Sequence, residues 1–328
     1  MRIARWAVGG TVSEGFVVGE NVIPFPERRT VADVLASGLE AAHGLHDAVA
    51  GGLRPDDAHV ALAAVRLLAP LVPATIRDFV AFEEHVEGVS AAVDGKSEVV
   101  PEWYQAPTFY FTNPHTVIGT EDELSPPACE RLDFELELAA VIGAGPSSTG
   151  ANLRSNEADA HIFGYTIMND WSARDIQSRE MKVRLGPAKG KDFGTTLGPW
   201  IVTADELAPY VDPEGFLAVR AEVYVNGTLV GEDLVSNMGW TFAELVAYAS
   251  RNSRVVPGDV LGSGTVGNGG CLAELWGRRG ILEPRPLQRG DVVRMVVEGI
   301  GEIVNTVGEA VAASPVRAAR KTSRARMR

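Results

Sequence analysis

The 328-residue chain has two cysteines, Cys129 and Cys271, too few for a disulfide scaffold and without the paired spacing of a zinc site, so a reducing compartment is expected. No run approaches the roughly 20 apolar residues that a membrane span requires. Met1-Arg2-Ile3-Ala4-Arg5-Trp6 leads into polar, glycine-rich sequence with no apolar core of signal-peptide length. These absences predict a cytoplasmic protein with no membrane partner. Positive charge is also scarce: 30 lysines and arginines against 43 aspartates and glutamates give a formal net charge of -13, which argues against nucleic acid as a principal partner. The one dense basic cluster, Arg317, Arg320, Lys321, Arg324, Arg326 and Arg328, stands among small residues and predicts a disordered tail over 313–328 rather than a binding arm. No internal repeat of short period and no low-complexity linker is present.

Apolar and β-branched sequence is what the chain has in quantity: 45% of its residues are hydrophobic, enough to bury a large core. Residues 1–72 combine short strand-like pieces around Gly9-Gly10 and 16–20 with a helical stretch over 30–50, where Val31, Val34, Leu35, Leu39 and Ala42 recur near helical spacing. They read as a small N-terminal domain. Over 73–312, short β-branched runs at 116–119, 133–143, 161–168, 200–203, 218–225, 260–263 and 291–297 are separated by glycine and proline. Val225-Asn226-Gly227-Thr228 predicts a tight hairpin, because Asn-Gly supplies the positive backbone angles of the turn. With few long helices between them, the strands predict a mixed α+β, β-rich fold of barrel-like or roll-like sheets, not a doubly wound parallel sheet.

Five segments carry candidate chemistry. Glu135 and Glu137 lie two apart in a strand-like run, and strand alternation places both on one face with Asp133, while Phe134, Leu136 and Leu138 take the other. Two carboxylates this close in partly buried surroundings share a proton or a cation, and a hard divalent metal is the less costly answer. A solvated acidic face on an edge strand is the plain alternative. Asp170 stands where a strand turns into a helix, so Asp170 or Ser172 either caps that helix or faces a ligand. Arg174 and Gln177 would then share a helix face suited to an anion. In 76–86, read as helical, Asp78 and His85 stand seven apart on one face. A histidine held by an acid can activate water near neutral pH; His115 rivals His85 by residue type alone. The loop 186–196 offers Lys191 between glycines but lacks phosphate-loop spacing. Gly262-Ser263-Gly264-Thr265 and the glycines after it form either a plain turn or a set of backbone donors for a carboxylate, followed by Glu274.

In this order, the acidic run 132–143, Gly164-Tyr165-Thr166, the stretch 169–177, Gly190-Lys191-Asp192-Phe193-Gly194-Thr195-Thr196-Leu197-Gly198-Pro199-Trp200, and Gly264-Thr265 with Glu274 resemble the fumarylacetoacetate hydrolase family. The resemblance covers nearly everything from Arg77 to about Val297. It implies a β-roll catalytic domain behind the small N-terminal domain, and a homodimer. It puts the metal carboxylates on Asp78, Glu135, Glu137 and Asp170, the catalytic histidine on His85 and its acidic partner on Glu274. Lys191 joins the catalytic set. Substrate and oxyanion contacts fall on Tyr110, Arg174, Gln177, Lys191 and Thr265, with Thr195 near the metal. Members that cleave fumarylacetoacetate carry a tyrosine where this chain has Val80, and an arginine of theirs has no recognisable counterpart in 86–96.

Residues and resemblance together predict a hydrolase that uses Mg²⁺ or Ca²⁺, with Mn²⁺ as an alternative, to cleave a carbon–carbon bond in a β-diketone or diketo acid of fumarylacetoacetate or acylpyruvate type. The expected partner is a small anionic diketo or 2-oxo acid, and the setting is catabolism of aromatic compounds. The same metal site would serve an oxaloacetate-type decarboxylase or a 2-oxo acid isomerase or hydratase. A non-catalytic ligand-binding protein is the reading of another class; His85 and Glu274 argue against it, because a binding module needs neither.

Overall fold

Residues 1–53, 59–94, 98–146 and 149–320 are described in the computed structural model of the protein. The expected basic tail falls partly on 321–328, outside the described residues; 313–320 is exposed and forms neither helix nor strand.

Strands β1 (Arg2–Val8), β2 (Thr11–Val18) and β3 (Asn21–Pro24) open the chain as an antiparallel meander. The helix expected over 30–50 is two, α1 (Val31–Ser37) and α2 (Leu39–Ala48), because Gly38, at φ 84, ends the first and starts the second. Thr30 begins α1 with a capping box: its hydroxyl accepts from Asp33 N, and the Asp33 carboxylate accepts from Thr30 N. There follow β4 (Ile76–Phe79), α3 (Glu83–Asp94), β5 (Phe109–Thr112), β6 (Leu136–Ile142), β7 (Ile162–Asp170), α4 (Arg174–Met181) and β8 (Thr195–Thr203). The last third holds β9 (Arg220–Val225), β10 (Thr228–Leu234), α5 (Phe242–Ser250), β11 (Val260–Gly262), α6 (Leu272–Arg279), β12 (Val292–Val297) and β13 (Gly301–Val307). The predicted hairpin joins β9 to β10, with Val225 opposite Thr228 and positive φ at Asn226 and Gly227.

These strands form two principal sheets, so the fold is mixed α+β and sheet-rich, as the strand pattern implied. A twelve-stranded sheet runs β3-β2-β1-β8-β7-β6-β11-β4-β5 through its middle. The N-terminal meander is therefore continuous with the main body, because β1 pairs antiparallel with β8. A five-stranded sheet runs β10-β9-β12-β13 and ends on Glu123–Leu124.

Strand β6 lies in the middle of the large sheet and is buried along its whole length. Leu136, Leu138, Ala140 and Ile142 belong to the main core with Val223, Met295 and Leu245, whereas Ala139 and Val141 pack with Ile3, Phe16, Val34 and Leu35. A strand covered on both faces reads as a continuous apolar run. Each large side chain buried there contributes about 1.5–3 kcal/mol, and that rigid surround holds Glu135 and Glu137 out of water. The alternative of a solvated edge strand is excluded by these two facts.

Candidate metal centre

Four buried carboxylates converge from the adjacent strands β7 and β6 and from β4, one strand further along the sheet beyond β11. Asp78 comes from β4, Glu135 from the residue just before β6, Glu137 from the start of β6, and Asp170 from the end of β7. The register sets them side by side: Glu137 is opposite Met168, and Gly262 of β11 is opposite Ala139 on one side and Asp78 on the other. One carboxylate oxygen from each of the four lies within 4.8 Å of the others. Gly262 forms part of the floor, where an added Cβ would stand 2.7 Å from both Asp78 Oδ1 and Glu137 Oε2.

Asp133 does not join them. The chain leaves the ladder between the short strand Leu132–Asp133 and β6, so alternation does not carry across the break. Asp133 instead accepts from Leu272 N at 2.8 Å and Ala273 N at 2.9 Å, at the start of α6, and from Arg174 Nε at 2.8 Å. Asp133 was missed as a functional residue, since the sequence offered only the alternation that misplaced it.

Two cations stand against the carboxylates. Lys191 Nζ donates to Asp170 Oδ2 at 2.7 Å and to Glu135 Oε2. Arg174 Nη1 lies 2.7 Å from Glu135 Oε1 and donates to Gln177 Oε1 at 3.1 Å, so the guanidinium and the amide do meet on one face of α4. Tyr110 donates its hydroxyl to Asp170 Oδ2 at 2.5 Å. Burial would raise Glu135, but Lys191 and Arg174 outweigh it and hold its carboxyl below the usual range. Glu137 and Asp78 have no such partner: burial, then the neighbouring carboxylates, pushes both well above the usual range. Asp78 Oδ1, both Glu137 oxygens and Asp170 Oδ1 are buried with no hydrogen-bond partner among the described residues. A proton shared between Asp78 and Glu137 would satisfy one oxygen of each; a hard cation satisfies the whole set. The donors are all carboxylate oxygens, which suits Mg²⁺, Mn²⁺ or Ca²⁺ and not a soft metal.

A cleft of about 430 Å³ opens over this group and is lined by Asp78, Glu135, His85, Tyr110, Arg174, Gln177, Lys191 and Thr265, among others. Asp78 and His85 do not share a helix as expected. Ile76–Phe79 is an interior strand between β11 and β5, and α3 starts only at Glu83. His85 nevertheless reaches the cleft from α3, buried, with Nδ1 3.7 Å from Cys271 Sγ. Burial lowers its pKa to about 4, so the ring is neutral at pH 7. Cys271 was assigned no role from sequence. His115 is exposed in a turn outside the cleft.

Glu274 is not hydrogen-bonded to His85. Its Oε1 accepts from Gly269 N at 3.2 Å and pairs with Arg278 at 2.9 Å, and burial raises its pKa to about 7. It meets α3 at Gly88, where an added Cβ would overlap Glu274 Cγ. Asp170 and Ser172 leave the start of α4 uncapped by side chains; Asp170 faces the cluster, and Ser172 Oγ donates to the Asp170 carbonyl. The buried hydroxyls of Thr195 and Thr265 have no hydrogen-bond partner among the described residues.

Against known proteins, the model of the fumarylacetoacetate (FAA) hydrolase C-terminal region matches residues 74–308. The chain belongs to the fumarylacetoacetate hydrolase family. A second model, described as Rv2993c-like, N-terminal, matches residues 1–70. Fumarylacetoacetase of Arabidopsis thaliana is 32% identical over 255 residues, which cover 64% of this chain and 60% of that protein. The chain thus spans less than two thirds of the length of that relative. Fumarylacetoacetate hydrolase from Exiguobacterium antarcticum superposes with a TM-score of 0.66 at 27% identity, covering 94% of this chain and 99% of that one. A 5-carboxymethyl-2-hydroxymuconate delta-isomerase from Mycobacterium smegmatis gives 0.65 at 25% identity, covering 94% and 100%.

Proposed function

We propose that the chain is a divalent-metal-dependent hydrolase that cleaves a carbon–carbon bond in a small diketo acid of fumarylacetoacetate or acylpyruvate type. The convergence of four buried carboxylates with unpartnered oxygens beneath a cleft that also holds Lys191, Arg174 and a neutral His85 carries this reading. Asp78, Glu135, Glu137 and Asp170 would hold Mg²⁺, Mn²⁺ or Ca²⁺, and the bound ion would supply Lewis acidity towards adjacent substrate oxygens. The remaining work falls to the chain's own groups. His85, uncharged at neutral pH, takes a proton from water as the water oxygen bonds to the carbonyl carbon, and returns it to the carbon that departs when the carbon–carbon bond breaks. Lys191 and Arg174, fixed by their ion pairs, and Gln177 present N–H donors to the oxygen on which negative charge develops. Tyr110 and Thr265 orient the substrate. Glu274 sets the spacing of α6 against α3, and through it the position of His85. A homodimer acting in the cytoplasm on products of aromatic catabolism, and a division into 1–72, 73–312 and a tail over 313–328, belong to the same proposal. Similarity to curated fumarylacetoacetases supports it.

A second reading keeps the metal site but dispenses with activated water: decarboxylation of an oxaloacetate-like acid, or isomerisation of a 2-oxo acid. The lack of a hydrogen bond between His85 and Glu274 favours it, since a base without an acidic partner is less well held. The test is to give the protein Mg²⁺ with acylpyruvates, fumarylacetoacetate and oxaloacetate in turn, and to compare His85→Ala with His115→Ala on the best substrate. For a hydrolase, His85→Ala loses about 10²–10⁴-fold in kcat with unchanged metal affinity, and His115→Ala is unaffected. Turnover of oxaloacetate alone, indifferent to His85, would establish the second reading instead.

A further inference from the structure

The lining of the cleft divides by chemistry. Its fixed positive charges are Arg174 and Lys191, and both are engaged: Arg174 with Asp133, Glu135 and Gln177, Lys191 with Glu135 and Asp170. With a divalent ion bound, the four clustered carboxylates are balanced by that ion, Arg174 and Lys191, and Asp133 adds a further negative charge against Arg174, so no positive charge is left over. Much of the remaining wall is Phe79, Val80, Val89, Phe109, Met181 and Pro187, which offer no side-chain donor. One acid group of a ligand can be matched at the carboxylate and cation end. A second one would lie against these apolar side chains with no cation among the described lining residues to pair with it, only neutral groups such as Thr108 and Gly186, and an ionised group is poorly tolerated there.

We infer that the site selects acids whose far end is a short, uncharged aliphatic chain and discriminates against dicarboxylates of the same length. This rests on the 2-oxo acid reading above and narrows it to the acyl substituent, with Val80, Val89, Phe109 and Met181 as the specificity-determining residues. The volume of about 430 Å³ lies towards the small end of the roughly 300–1,000 Å³ usual for ligand pockets, which limits the length of that chain. Each methylene that the wall covers should improve affinity about fourfold.

Direct binding tests this without relying on turnover. 2-Oxoheptanoate and 2-oxoheptanedioate have the same chain length, differ in the second carboxylate, and lack the further carbonyl that cleavage needs. In calorimetric titrations of the full chain with saturating Mg²⁺, the monoacid should bind at least about tenfold more tightly. Val89→Arg should narrow or reverse that preference; Met181→Arg, at a half-exposed position, serves if the first variant does not fold. A parent protein that binds the diacid equally or more tightly overturns the inference and leaves the proposed function standing. If neither acid binds, the 2-oxo acid reading fails and the inference fails with it.

Discussion

Glu274 illustrates how a single carboxyl can be informative without touching substrate. Burial raises its pKa from 4.5 to about 7 despite the ion pair with Arg278. A carboxyl raised in the folded state contributes its full stability below the unfolded value and loses it as pH rises through the folded one. Glu274→Gln should therefore match the parent in stability near pH 4.5, gain on it as pH rises, and level off above about pH 7. The gain should be about 3 kcal/mol. Denaturant titrations across that range measure it, and an offset independent of pH would show that the group is not perturbed. Gly262 makes the complementary case. Its missing side chain leaves room between Asp78 and Glu137, so Gly262→Ala should force a displacement of about 1–3 kcal/mol. Calorimetry should then show Mg²⁺ affinity reduced by about tenfold or more, while circular dichroism is unchanged. Unaltered affinity would mean that the floor of the cluster is not where a cation sits.

At the scale of elements, what periodicity can express was legible and what pairing decides was not. The two-residue spacing at the entry to β6 indicated that Glu135 and Glu137 come together, as they do in the cluster, and Asn226-Gly227 indicated the hairpin, because both are written in nearby residues. The stretch 76–86 was misread as one helix. Its helical spacing from Asp78 to His85 is real, but Ile76–Phe79 is claimed by ladders to β11 and β5, which lie far away in sequence. Asp133 was misplaced for a similar reason: a break in the strand turned it towards the first amides of α6, partners that no local pattern names. The approach of α3 to α6 also belongs here. Gly88 lies directly on Glu274, and the two helices hold His85 and Cys271 in contact. Gly88→Ala should push the helices apart, cost about 1–3 kcal/mol in stability and lower kcat, while Mg²⁺ affinity stays as in the parent. Thermal melts with metal titrations would check this. A loss of metal affinity equal to the loss of activity would mean that α3 supports the carboxylates and not the histidine.

Across the whole molecule, the sheet carries the site. Strands β7 and β6 are flanked on one side by β8 and the N-terminal meander and on the other by β11, then by β4, which brings Asp78, and β5, so the N-terminal residues complete the packing behind β6, through Ile3, Phe16 and Leu35. That continuity rests on the pairing of Arg2 with Val202 and Ile3 with Ile201, residues too far apart in sequence for a local pattern to show. Among the described residues no helix is long and apolar enough to cross a membrane. The enclosed β6 explains why charges that repel one another can be held together: the surrounding core does not let them move apart, and a cation is the available remedy. The most direct test removes and restores that cation. Chelator-treated protein should not turn over an acylpyruvate, should recover on addition of Mg²⁺ or Mn²⁺, and should lose both recovery and calorimetric metal binding in Glu135→Ala and Asp170→Ala variants that remain folded. Full activity without metal, or unchanged metal affinity in both variants, would contradict the account.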